Sequence, residues 1–191
     1  MATTPILLGL FFFAAVGSIN YHQRNLLTTK VLSVKHHTIR EQSARQSLVR
    51  RAQQQIGVRE ETGNNDGRAV KAYLASVGLK RPEPWCAAFI CWLYEKEGFV
   101  KPKSGWCPDL FLKSRLARSA LPGNIIGIYF PDKQRIAHVG LIERLDNDWC
   151  LTIEGNTNVE GSREGDGVYR KRRHLKTIYR ISDWISKQQG K

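Results

Sequence analysis

Three groups of residues in this chain have side chains able to do chemistry together. Cys86 stands at the head of the apolar run Pro84-Trp85-Cys86-Ala87-Ala88-Phe89-Ile90-Cys91-Trp92. About fifty residues later comes Ala137-His138-Val139-Gly140, and after it Glu154-Gly155-Asn156. A thiol, an imidazole and a polar orienting group, in that order, are the parts of a cysteine hydrolase. A cysteine of ordinary pKa, ~8.5, is only a few per cent thiolate at neutral pH, so it needs help to act as a nucleophile. A helix N-terminus lowers that pKa through its oriented backbone dipoles, and a nearby imidazolium lowers it further. The free N–H groups of the same helical turn can receive the oxyanion of a tetrahedral intermediate, which puts Trp85 and Cys86 on the oxyanion and substrate-binding side. His138 would then protonate the leaving amine, and Glu154 or Asn156 would fix its tautomer and tilt.

The elements that must position these groups can be read from hydrophobic periodicity. Leu48, Ala52 and Ile56 recur at helical spacing and end at Gly57. Glu60 to Gly67 is a loop by composition. It invites a calcium reading but lacks the alternating acidic ligands and terminal glutamate of such loops. Val70, Tyr73, Leu74 and Val77 mark a second amphipathic helix closed by Gly78. A third is expected from Cys86 to Lys96 or Glu97, with Pro84 just outside its start and Gly98 after its end. Lys101 to Leu121 reads as a connection with a short helix around Leu110 to Leu116. Beyond Pro122-Gly123 the pattern turns to strands: Ile125–Phe130, Ala137–Arg144, Trp149–Glu154, then Val168–Arg172 and Ile178–Ile181. Helices first and strands afterwards argue for an α+β fold, N-terminal helices packed on an antiparallel sheet.

The hairpin around Leu145-Asp146-Asn147-Asp148 carries the argument for a site. Folding the chain symmetrically about it sets His138 opposite Glu154 or its neighbour, where facing Cβ atoms lie ~4.5–5.5 Å apart. Val139 and Leu141 would share one face, and His138, Gly140 and Ile142 the other. A slip of one residue would reverse that facing. Each residue alone also has a simpler reading: a buried structural thiol, a strand histidine, an ordinary strand end and turn. Their combination carries the weight.

The chain has 191 residues, of which 41% are hydrophobic, enough for one domain with its own core. Thirty basic and 17 acidic side chains give a formal charge of +13. That balance suits anionic wall polymers or a membrane surface as partners. No zinc-finger spacing or stacking aromatic motif supports nucleic-acid recognition, although the charge alone leaves a nucleic-acid-binding protein as an alternative. The four cysteines, Cys86, Cys91, Cys107 and Cys150, contain no C-x-x-C pair. Neither a structural metal nor another cofactor is expected. With Cys86 free, at most one disulfide can form. Cys91 and Cys150 fit small core residues.

Residues 1–20 hold the uncharged stretch Pro5 to Ile19, the length of a signal-peptide h-region and short of the ~20 residues that span a bilayer. No basic residue precedes it, whereas Arg24, Lys30, Lys35 and Arg40 follow, which favours keeping that flank in the cytoplasm. The segment is thus expected to be an export signal or an uncleaved inner-membrane anchor. Residues 21–45 read as a basic linker or loosely attached helix, and 46–187 as the catalytic domain.

These residues resemble a known family. Pro84-Trp85-Cys86-Ala87-Ala88-Phe89, Pro122-Gly123-Asn124-Ile125, Ala137-His138-Val139-Gly140 and Ile153-Glu154-Gly155-Asn156 look like a CHAP domain, one of the NlpC-type, papain-like cysteine amidases and peptidases of bacterial cell walls. The similarity runs from Gln46 to Trp184. Gly161 to Tyr169 resembles a small bacterial and phage subgroup. The resemblance implies hydrolysis of a peptidoglycan amide bond, in a stem or cross-bridge peptide or between N-acetylmuramic acid and L-alanine. It makes Cys86 the nucleophile, His138 the base, and Glu154 with Asn156 the orienting groups. The family's usual Pro-Gly-Asp-Ile has Asn124 here, a change at a structural acid. No separate wall-binding module is visible, and Arg170-Lys171-Arg172-Arg173 reads as a solvated strand edge or a grip on an anionic polymer. A wall- or membrane-binding protein without turnover is the other alternative.

Overall fold

The computed structural model describes residues 38–159 and 165–186. The expectations for 1–20, for 21–37, for 161–164 within the Gly161–Tyr169 motif and for position 187 lie outside the described residues. The chain divides into two compact units, Met1–Gln42 and Ser43–Lys191. Of the first, only 38–42 are described, and they are helical. Among the described residues no helix is long and apolar enough to cross a membrane.

The second unit is α+β. Three helices come first: α1 takes in 43–53, α2 is Arg68–Ser76 and α3 is Cys86–Lys96. Five strands follow: β1 Ile125–Phe130, β2 Arg135–Asp146, β3 Trp149–Thr157, β4 Gly167–His174 and β5 Arg180–Ser182. They form one antiparallel sheet in the order β4-β3-β2-β1-β5. The short helix expected near Leu110 to Leu116 is instead two 3-10 turns, Cys107–Phe111 and Lys113–Arg115. The extended backbone of Leu112 between them, φ −55° and ψ 140°, interrupts the helix.

Burial follows the periodicities. Leu48 and Ala52 of α1, and Val70, Tyr73 and Leu74 of α2, point into one core. Between Cys86 and Tyr94, α3 buries every side chain but Trp92, so it is the central helix of the layer. It packs against α2 on one side and β2 and β3 on the other. Strand alternation gives the sheet two apolar faces. Ile125, Val139, Leu141 and Ile153 join the helical core, while Ile126, Ile142 and Cys150 form a second cluster with Ile128, Leu175 and Ile178. The facing read from the sequence for Val139 and Leu141 against Ile142 is the one observed.

The β2–β3 hairpin is longer and tighter than expected. Asp146 pairs with Trp149, leaving Asn147 and Asp148 as a two-residue turn in which Asn147 takes φ 51°. Arg144 pairs with Leu151 but Ile142 with Thr152, so Glu143 is a bulge that shifts the register by one residue. Continuing from the pair Leu141–Ile153 brings Gly140, not His138, opposite Glu154. Symmetry about Asp146-Asn147 would set His138 opposite Gly155; the observed turn is centred one residue later, between Asn147 and Asp148, which moves the partner two positions along β3, and the bulge returns one of them.

A buried polar clamp ties the chain ends of this unit together. The Arg45 guanidinium donates to Asn124 Oδ1 at 2.8 Å and to Asp183 Oδ2 at 2.5 Å. Asn124 is fully buried and also donates to the Ser119 carbonyl. Asp183 supplies the charge that balances Arg45. A neutral amide at 124 is therefore sufficient, which accounts for asparagine following Pro122-Gly123.

Candidate active site

Cys86 is the first residue of α3, with Trp85 as its N-cap. The first intrahelical bond runs from Phe89 N to Trp85 O, so the N–H groups of Cys86, Ala87 and Ala88 have no acceptor within the helix. The Ala87 N–H is among the groups that favour a charged Cys86 sulfur. Cys86 Sγ also lies 3.5 Å from Cys107 Sγ, and all four cysteines are free thiols. The Cys107 hydrogen bond, the His138 imidazole and the Ala87 N–H together outweigh burial and hold the Cys86 thiol well below its ordinary range. The same hydrogen bond drives Cys107 the opposite way, with burial adding to it, so Cys107 stays a protonated donor.

Glu154 reaches His138 diagonally across the hairpin, Oε2 to Nε2 at 2.8 Å. Gly140 makes this reach possible. A Cβ there would sit 2.6 Å from Glu154 Cγ, so any larger residue would push the carboxylate off its path. Glu154 is fully buried and held from two more sides. Arg173 of β4 donates Nε to Oε1 at 2.9 Å and Nη2 to Oε2 at 2.6 Å, and the Thr152 hydroxyl donates to Oε1 at 2.5 Å. Burial opposes the charged carboxylate, but Arg173 and His138 overcome it and hold Glu154 far below the usual carboxylate range. Burial likewise opposes a charged imidazole. The hydrogen bonds and negative charges of Cys86 and Glu154 reverse that and raise His138 to about 10. With Nε2 taken by Glu154, Nδ1 is the ring nitrogen left for the thiol. These shifts favour a thiolate at Cys86 and an imidazolium at His138, with the Glu154 carboxylate and Arg173 behind the ring.

Asn156 has a different task. Its Nδ2 donates to Asn65 Oδ1 at 3.1 Å, to the Gly165 carbonyl at 3.3 Å and to Glu60 Oε1 at 3.4 Å. Glu60 also accepts from the Trp85 indole N–H at 2.7 Å and, through Oε2, from the Asn65 backbone N–H at 2.8 Å. Asn156 therefore pins the 60–67 loop to the strand end rather than orienting the imidazole. Of the two orienting residues expected, Glu154 touches His138. Trp85, expected on the substrate side, is fully buried and does not line the cleft; its indole supports this loop instead. Gly155 completes the packing: a Cβ there would meet the Trp85 and Phe89 rings at 2.6 and 2.8 Å.

The groups meet in an open cleft of about 510 Å³. Cys86, His138, Asn156 and Arg173 line it, with Gly63 to Asn65 on one wall and Phe130 and Lys133 on another. Among the described residues its lining contains cations but no carboxylate. The sequence reading missed Arg173, Thr152, Cys107 and Glu60 as parts of the site. Strand alternation in Arg170–Arg173 carries a signal for Arg173, since it pairs with Cys150 two positions from Thr152. Nothing in the spacing of Cys107 or Glu60 points to the cleft. Arg170, in turn, is a bidentate partner of Glu143 at 2.6 and 2.7 Å, so the basic segment is largely engaged with acids of the sheet.

Among the described residues no group of three or more His, Cys, Asp or Glu side chains is arranged to hold a metal ion. The 60–67 loop closes on itself instead: Asp66 accepts from the Thr62 N–H at 2.9 Å and from its hydroxyl at 2.7 Å. No protein-family model, curated protein or solved structure matches this chain.

Proposed function

We propose that this chain is a cysteine hydrolase of papain-like, CHAP-type architecture that cleaves an amide bond in peptidoglycan. The observation that carries the reading is the line Cys86–His138–Glu154–Arg173 at one cleft, with the thiol at a helix N-terminus. The Cys86 thiolate adds to the substrate carbonyl, and the oxyanion is received by the free N–H groups of the first turn of α3. The His138 imidazolium gives its proton to the leaving nitrogen as the C–N bond breaks, leaving a thioester on Cys86. Neutral His138 then takes a proton from water, which attacks the thioester. The C–S bond breaks, the acid leaves and the thiolate–imidazolium pair is restored. Throughout, Glu154 holds the ring and stabilises its charged form.

Peptidoglycan as substrate rests on the motif resemblance and on the cleft. Stem peptides are extended and carry carboxylates, which suit an open groove bearing Lys133. The place of action would be the cell envelope. The test is digestion of purified sacculi by wild type and Cys86→Ala, with mass spectrometry of the soluble fragments. Wild type should release muropeptides with new amine and carboxyl termini, whose positions identify the bond. Equal release by Cys86→Ala would sink the reading.

A further inference from the structure

The hydrolytic steps do not consume Cys107, yet its sulfur lies 3.5 Å from the nucleophile in a buried position. The two thiols differ in access and in role. Cys86 lines the cleft, whereas Cys107 lies behind it, at the start of the 3-10 turn Cys107–Phe111. Cys91 donates to the Ser104 carbonyl at 3.3 Å, and Cys150 is fully buried in the second apolar cluster. Only the Cys86–Cys107 pair therefore combines an entry path from the cleft with a second thiol within reach.

We propose that Cys86 and Cys107 form a second reactive unit, a dithiol that hydrogen peroxide converts into a disulfide and a thiol reductant restores. In the first step the Cys86 sulfur attacks one peroxide oxygen. The S–O bond forms as the O–O bond breaks, sulfur is oxidised by two electrons, and the departing oxygen takes the His138 proton and leaves as water. In the second step the Cys107 sulfur attacks the Cys86 sulfenic sulfur. The S–S bond forms, the S–O bond breaks, and hydroxyl leaves with the Cys107 proton as a second water. Two thiols and one peroxide thus give one disulfide and two waters. The sulfurs must close from 3.5 Å to about 2.05 Å. Cys107 sits in a short 3-10 turn rather than a long helix. The disulfide occupies the nucleophile, so hydrolysis stops while it persists. Cys107 in this role also keeps Cys86 from the irreversible sulfinic and sulfonic states.

The experiment treats the full-length protein with equimolar to tenfold hydrogen peroxide and reads mass, thiol count in denaturant and peptide linkage. These readouts do not depend on any substrate, so they stand or fall separately from the hydrolase reading. Wild type should lose the mass of two hydrogens, its titratable thiols should fall from four to about two, and one peptide should join Cys86 to Cys107. Dithiothreitol should reverse all three. Cys107→Ser should instead accumulate a Cys86 sulfinic acid that dithiothreitol does not reverse, and Cys107→Ala gives the same test should the serine variant fold poorly. Wild-type Cys86 gaining oxygens with no bridged peptide, or a bridge joining any other pair, would overturn the proposal.

Discussion

Cys86 and Cys91 lie on the same helix, five residues apart, and both are buried, at 5% and 2% exposure. Their acidities are nevertheless opposite. Burial pushes Cys91 up to about 11, although the Ser104 N–H partly compensates. At Cys86 the same penalty is overturned by the Cys107 thiol, the His138 imidazole and the Ala87 N–H. Burial alone disfavours a thiolate. What separates the two positions is that Cys86 sits where the helix leaves its N–H groups free and where a charged partner reaches in from β2. In the second turn the N–H groups are already bonded within the helix, and the sulfur is left with only the Ser104 backbone as polar partner. The difference in acidity follows the place on the helix, not the residue type.

Removing the nucleophile gives the largest effect. Cys86→Ala should lower muropeptide release by at least about 10⁴-fold, because the other members of such a unit contribute little without it. Residual activity near the wild-type level would place the chemistry elsewhere.

Next comes the charge behind the imidazole. Glu154→Gln should lower kcat/KM on the order of 10²–10⁴-fold while the protein stays folded, as circular dichroism can verify. Its pH profile is the sharper readout. On the proposed mechanism the active form pairs a thiolate with an imidazolium, so activity should rise as Cys86 loses its proton, below the ordinary thiol range. It falls as His138 loses its own, near about 10 in wild type. Without Glu154 the alkaline limb should move to lower pH, because the group that favours the charged ring is gone. An unmoved alkaline limb would detach Glu154 from the imidazole.

Gly140→Ala should act through geometry alone. A methyl 2.6 Å from Glu154 Cγ must displace the carboxylate, costing roughly 1–3 kcal/mol of stability and roughly 10²-fold in rate. Thermal unfolding and kinetics on the same preparation separate the two. Cys91→Ala is the smallest change and the direct control for Cys86. We expect a loss of about 1 kcal/mol in stability with kcat within about threefold of wild type. Iodoacetamide near pH 6 should label Cys86 in the native protein and reach Cys91 only after unfolding, as peptide mapping would show.

Much of the architecture was legible because it rests on periodicity. The apolar run after Trp85 reads as a buried helix, and β1 was read at its observed limits, Ile125–Phe130. The facing of Val139, Leu141 and Ile142 followed from strand alternation, whose period of two leaves only two choices. What escaped was register. A bulge at Glu143 has no signature in local composition, yet it decides that Glu154 lies across Gly140 and reaches His138 on the diagonal. Asn156 looked interchangeable with Glu154 as an orienting group, being two residues along the same strand. Its bonds to Asn65 and Glu60 come from a loop about ninety residues away, which no local pattern can announce.

By itself, then, the sequence determined the order helices-then-sheet, the helix start at Cys86 and the hairpin that carries His138 and Glu154, since each depends on neighbours in the chain. Only the tertiary structure decided that Arg173 clamps Glu154 from β4 and that Cys107 meets Cys86 sulfur to sulfur. Those contacts join residues 19 and 21 positions apart through side chains whose meeting depends on how separate elements pack. Packing and register, rather than propensity, set such distances, and on them the acidity of Cys86 depends.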